Sequence, residues 1–224
     1  MQSNQSLIEK YNRLQSSLLI SLSIIFAIII FLAPSFLTYY FQYYFLLIAV
    51  SFIGLPHGFF DYSIAERLFD YKKNWIYYFT ISYIFLSLIY LFFWFAYPLP
   101  SLIFFLIIST FHFGMEELNH IKYKDMKNFQ IVMIGSMPIA LPILFHPENV
   151  FYIFNQITDL NIIYDHININ IYYFYFSLLF IALYLNGIKR SWIYFILIAN
   201  FIILPPLVSF ILYFCFHHSL RHYI

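Results

Sequence analysis

The sequence predicts an all-α integral membrane protein of about eight transmembrane helices with its N-terminus in the cytoplasm. Three observations carry that prediction. Hydrophobic residues make up 63% of the 224 positions and charged residues only 9%, with a mean hydropathy of +0.80, well outside the range of soluble globular domains. The apolar residues fall into runs near the length a helix needs to cross a bilayer core, separated by short polar loops. Finally, every Lys and Arg lies in alternate loops, as expected when cytoplasmic loops collect the positive charge.

The first run, 17–34, follows Lys10 and Arg13 and so has the charged front of a signal peptide. No small-residue cleavage site follows FLAPSF, so it reads as a retained span. The second, 37–57, ends in GLPH and is followed by Arg67, Lys72 and Lys73. Runs three and four, 75–97 and 99–117, form a pair closed by Lys122, Lys124 and Lys127. Runs five and six, 129–146 and 169–186, enclose the cation-free segment 147–168 and end before Lys189 and Arg190. A single helix over 191–222 would be about 48 Å long, too much for one straight crossing. Pro205-Pro206 divides it into spans 191–204 and 206–222, with Arg221 at the end. No repeat, low-complexity linker or soluble insertion interrupts the pattern, so 1–224 reads as one transmembrane domain.

Composition also excludes several functions. A net charge of +1 gives no support to nucleic-acid binding, which needs clustered cations. Cys215 is the only cysteine, so the chain forms no internal disulfide and no thiolate zinc cluster. A bound metal would have to be held by nitrogen or oxygen. Aromatic residues reach 25%, which suits a channel for a flat apolar ligand and equally suits biased codon usage, so the enrichment by itself assigns nothing.

The histidines are more informative, because an ionisable group at membrane depth is costly and marks a functional site by default. Counted from the outer ends of their spans, His112 in STFHFGMEEL lies about 20 Å deep, and His218 and His222 about 18 and 24 Å. His57 closes the second span near its cytoplasmic end. All four thus fall in the inner leaflet of one layout. His218 and His222 are four apart and share a helix face, a spacing that suits two imidazoles on one metal or two hydrogen bonds to headgroups and carbonyls. Joined by His57 and His112 they make a candidate four-imidazole site, for which ligand type alone leaves Zn, Cu, Fe and Ni open. Asp61 and Glu116 each follow a histidine by four residues and are candidates to accept an imidazole hydrogen bond or to be solvated at the interface. Gly58 and Gly114 suit close helix approach. His217 points about 100° from His218 on an α-helix and is a poor further ligand. His120, His146 and His166 fall in loops.

Taken together, GLPHGFFDY, STFHFGMEEL and FCFHHSLRH resemble the Brp/Blh family of bacterial and archaeal membrane β-carotene 15,15'-dioxygenases. The resemblance implies cleavage of the central double bond of β-carotene by dioxygen at a ferrous iron site, giving two molecules of retinal. Carried over by position, the iron ligands are His57, His112, His218 and His222. The resemblance further implies a multi-pass protein of the bacterial or archaeal inner membrane that supplies retinal to a microbial rhodopsin. Members of that family usually continue into further membrane helices beyond the HS-x-RH stretch, whereas here two residues follow His222. Phe59, Phe60, Phe111, Phe113, Tyr213 and Phe214 flank the motifs and are candidate walls for a polyene, or plain packing residues. The competing readings are a histidine-ligated desaturase or hydroxylase and a haem-binding or transport subunit. The first would carry several H-x-x-H-H boxes, and HH occurs here once. Transport predicts polar groups at midplane on several spans, which spans one, three and six largely lack.

Overall fold

The computed structural model describes residues 2–55, 59–69, 73–118, 126–163 and 167–221, and these form helices joined by short turns, with no strand among them. Helix α1 (Gln2–Leu32) leads through a turn at Pro34–Phe36 to α2 (Tyr39–Ala49), where the hydroxyl of Thr38 accepts the Phe41 N–H and starts the helix. α2 runs on into a π-helical turn, Val50–Gly54. Then come α3 (Phe59–Phe69), α4 (Trp75–Ala96), α5 (Pro98–Glu117), α6 (Lys127–Gly135), α7 (Met137–Phe145) and α8 (Pro147–Thr158). α9 (Ile169–Asn186), α10 (Ile188–Ile203) and α11 (Pro206–Ile211) follow, and α11 passes without a break into a second π-helical segment, Leu212–Ser219.

In their described residues all eight apolar runs are helical, but fewer are long enough to cross a bilayer alone. Among the described residues, Lys10–Leu32, Trp75–Ala96, Pro98–Glu117 and Ile169–Asn186 are long and apolar enough. Lys127–Gly135 and Met137–Phe145 make a fifth if counted as one span bent by 46°. The bend falls just before Pro138, which supplies no N–H and disfavours helical backbone in the residue ahead of it. Tyr39–Gly54 and Ser191–Ile203 are apolar but shorter.

Two segments expected as loops are helices. Phe59–Phe69 and Pro147–Thr158 are too short or too polar to register as spans, yet each forms three turns. α8 opens with Pro147 at its first position and Glu148 in its first turn, both favourable at a helix N-terminus.

In lipid, helices gain little by hiding apolar surface from one another, so close packing and interhelical polar bonds hold the bundle. The closest crossing joins α5 and α6. A Cβ on Gly114 would stand 2.0 Å from the carbonyl oxygen of Ile131, and one on Gly135 would stand 2.0 Å from that of Thr110. Each glycine therefore lets the other helix's backbone lie directly against it, as anticipated for Gly114 from sequence. Elsewhere Asn200 Nδ2 donates to Ser23 Oγ at 2.8 Å, tying α10 to α1. The core gathers Leu19, Ile134, Leu141, Leu179, Leu197, Phe201 and Tyr213, so α1, α6, α7, α9, α10 and the last segment surround it. α4 stands at the edge, and of its residues only Trp75, at its start, is buried.

Candidate active site

Of the four candidate ligands, His112 and His218 are described, whereas His57 and His222 lie outside the described residues. The fold brings the described pair together. His112 sits near the C-terminal end of α5 and His218 in the π-helical segment, with ring centroids 5.3 Å apart and planes inclined at 66°. Among the described residues no three His, Cys, Asp or Glu side chains gather as a metal cluster.

The π-helical backbone shapes the surroundings of His218. Its i→i+5 bonding widens the turn, so that residues four and five apart both come to lie over one another. Tyr213 and Phe214 accordingly both lie against the His218 ring, at 6.0 Å each and nearly parallel to it. Phe113 meets the same ring edge-on at 4.9 Å and also touches Tyr213 and Phe214. Such turns occur often at functional sites, and here both described examples adjoin histidine motifs. The two also pack together: a Cβ on Gly54, in GLPH, would stand 2.8 Å from the Phe214 ring.

Of the candidate wall residues, Phe113, Tyr213 and Phe214 thus surround His218, while Phe111 is exposed. The side chains of Phe59, Phe60 and Asp61 lie outside the described residues. Glu116 is half-buried at the end of α5.

On the outer side of this aromatic shell lies an apolar cleft of about 550 Å³. Leu102, Phe105, Leu106, Ser109 and Phe113 line it along one face of α5, opposite α7, α8 and α11. On the other side, a polar cavity of about 310 Å³ is bordered by Gln15, Ser16, Asn186, Glu117, His217 and Arg221. His218 stands between them, in contact with Phe113 of the cleft and next in sequence to His217 of the cavity.

The polar cavity exposes a set of residues that sequence reasoning passed over. Glu117 is buried, and its Oε2 accepts a hydrogen bond of 2.6 Å from the Tyr194 hydroxyl and another from Arg221 Nη1. His217 Nε2 lies 3.1 Å from Glu117 Oε1, and a nitrogen facing a carboxylate at that distance carries the proton. Gln15 Nε2 of α1 donates to the carbonyls of Phe216 and His217, at 3.3 and 2.7 Å. His217 is therefore buried and engaged, and Arg221, expected only as a cytoplasmic anchor, is tied to α5. One signal could have found Glu117. It lies three residues after Gly114 and so shares the helix face that the glycine packs.

Whether this donor set suits a metal can be tested on the described pair. Imidazole nitrogens bind transition metals at roughly 2.1 Å, which puts the centroids of two rings sharing one ion roughly 5 Å apart. The His112–His218 separation of 5.3 Å fits that requirement. With no thiolate and no carboxylate between them, the donors suit Zn, Cu, Fe or Ni rather than a hard oxygen-seeking cation.

A family model described as beta-carotene 15,15'-dioxygenase matches residues 48–224. A curated protein of that name from uncultured marine bacterium 66A03 is 34% identical over 184 residues, which are 78% of this chain and 66% of the relative. The match thus spans just under two thirds of the relative's length. No solved structure matches.

Proposed function

The chain belongs to the β-carotene 15,15'-dioxygenase family, and from that premise we propose that it cleaves the central double bond of β-carotene with dioxygen, giving two molecules of retinal. The observation that carries the proposal is the apolar cleft ending at Phe113, whose ring packs against His218. From Leu102 to Phe113 it follows α5 for about 16 Å at 1.5 Å per residue. Half of β-carotene, from the central bond to the far edge of its ring, spans about a dozen bonds, or roughly 14 Å at about 1.2 Å per extended bond. A molecule seated with one ring near Leu102 presents its middle at the imidazoles.

His57, His112, His218 and His222 would hold the ferrous ion, with Asp61 and Glu116 as candidate acceptors for their ring N–H groups. When bound, the ion supplies activation of dioxygen beside the polyene, chemistry that no acid or base in the chain provides. The protein's own part is placement. Phe113, Tyr213 and Phe214 hold the His218 ring from three sides and keep water from it. The cleft takes a substrate that offers no polar handle, so its length and shape choose the bond to be cut. Drawing that substrate laterally from lipid avoids carrying a long hydrocarbon through water.

In this reading the eight apolar runs are eight spans, four of them short or bent, with the N-terminus and all eleven Lys and Arg on the cytoplasmic side of a bacterial or archaeal inner membrane. Retinal, apolar and reactive, would pass to a microbial rhodopsin in the same bilayer.

Expression in bacteria that make β-carotene tests the proposal directly. Orange cells are expected to bleach while retinal accumulates, and alanine at His57, His112, His218 or His222 is expected to abolish both effects. Unchanged pigment with folded protein in the membrane would sink it.

A further inference from the structure

Two adjacent histidines, His217 and His218, stand in a π-helical segment, and a slip of the segment by one residue would exchange them. The described contacts show why the segment does not slip. Glu117 of α5 receives Tyr194 of α10 and Arg221 on one oxygen and faces His217 with the other. Gln15 of α1 holds the carbonyls of Phe216 and His217. A carboxylate buried this deeply is held in place only while its donors are in position, because charge-assisted bonds must offset its lost hydration. Three helices thereby grip the segment at His217 and Arg221, four residues apart, and leave His218 turned to His112.

We infer that Glu117 is a positioning residue, which by binding His217 and Arg221 fixes the register of the last segment so that His218, and not His217, faces the metal site. Resting on the functional reading above, the inference deepens it and concerns no group that touches substrate. The contact with the carboxylate turns the His217 ring to the side of Tyr194 and Arg221, away from His112. The geometry also explains an arginine so near the site: it completes the donor set around a buried anion.

The test is anaerobic ferrous-ion binding by the purified full chain in detergent, with thermal unfolding measured alongside. Glu117→Gln is expected to weaken iron binding about tenfold or more, the scale on which groups behind metal ligands act. Tyr194→Phe, which removes one donor and keeps the ring, is expected to give a smaller loss, and serves if the glutamine variant does not fold. Arg221→Lys should retain more affinity than Arg221→Gln, because it keeps the charge. Iron affinity within twofold of wild type in folded Glu117→Gln and Tyr194→Phe overturns the inference. An unmutated chain that cleaves carotene and binds iron alongside such unaffected variants leaves the functional reading standing without it. An unmutated chain that binds no ferrous ion overturns the functional reading and this inference together.

Discussion

The two halves of α5 are built on different terms. From Thr110 to Glu117 the helix lies against the α6 backbone through Gly114, carries His112, and ends in a carboxylate with three partners. From Leu102 to Ser109 the same helix borders an open apolar cleft. The difference teaches how one helix serves both demands of the proposed reaction. Ligands must be held to within a fraction of an ångström, whereas a hydrocarbon chain needs only room and an end stop. The rigid half relies on contacts that cannot relax, backbone on backbone and charge on charge.

The sharpest way to break that contrast is Gly114→Ala. The added methyl would overlap a carbonyl oxygen that moves only if α6 moves with it. Overpacking of this kind costs roughly 1–3 kcal/mol or more, and here it also parts the two helices that shape the site. We expect little folded protein in the membrane and no retinal. Folded protein at wild-type levels with full activity would show that the crossing is not rigid.

Next in size are the imidazoles themselves. His112→Ala and His218→Ala remove groups from a site whose aromatic walls remain, so the helices should still assemble. Retinal formation is expected to fall at least about a hundredfold while protein level and unfolding temperature change little. If His112→Ala kept a tenth of the activity, the paired rings would not be a shared site.

How much of this contrast was legible beforehand differs between the halves. The histidine motifs, the helices that bear them and the packing role of Gly114 stand in the sequence, because apolar run length and residue spacing report them directly. The backbone of the last segment does not, since a π-helix has no sequence period of its own that separates it from an α-helix. Spacing from His112 favoured Glu116, while the side chain turned inward is Glu117, decided by which face of α5 meets its neighbours. α8 was missed for a different reason. A search for span-length apolar runs passes over a short helix, although Val150, Ile153, Phe154 and Ile157 recur at the spacing of one helix face and all four line the cleft. His57 and His222 fall outside the described residues, so their placement rests on sequence alone.

A smaller effect should come from the loose half. Leu106→Trp places a bulky ring inside the cleft, where nothing but apolar side chains must yield. We expect about a tenfold loss of retinal formation in cells, with ferrous-ion binding unchanged, because the obstruction meets the substrate and not the ligands. A parallel loss of iron binding would mean that the two halves are coupled.

The smallest effect is expected at Tyr90→Phe. The Tyr90 hydroxyl donates to the Ser101 carbonyl at 3.1 Å and links α4 to α5 at the far end of the cleft, which the Tyr90 ring also lines. Measured interhelical bonds of this kind average about 0.6 kcal/mol in membranes, since the separated helices find other partners. The ring that lines the cleft stays in place, so retinal formation should remain within twofold and unfolding temperature should fall only slightly. A large loss of activity from this one hydroxyl would show that the end of the cleft is positioned as strictly as the imidazoles, and the division of α5 into a fixed half and a yielding half would fail.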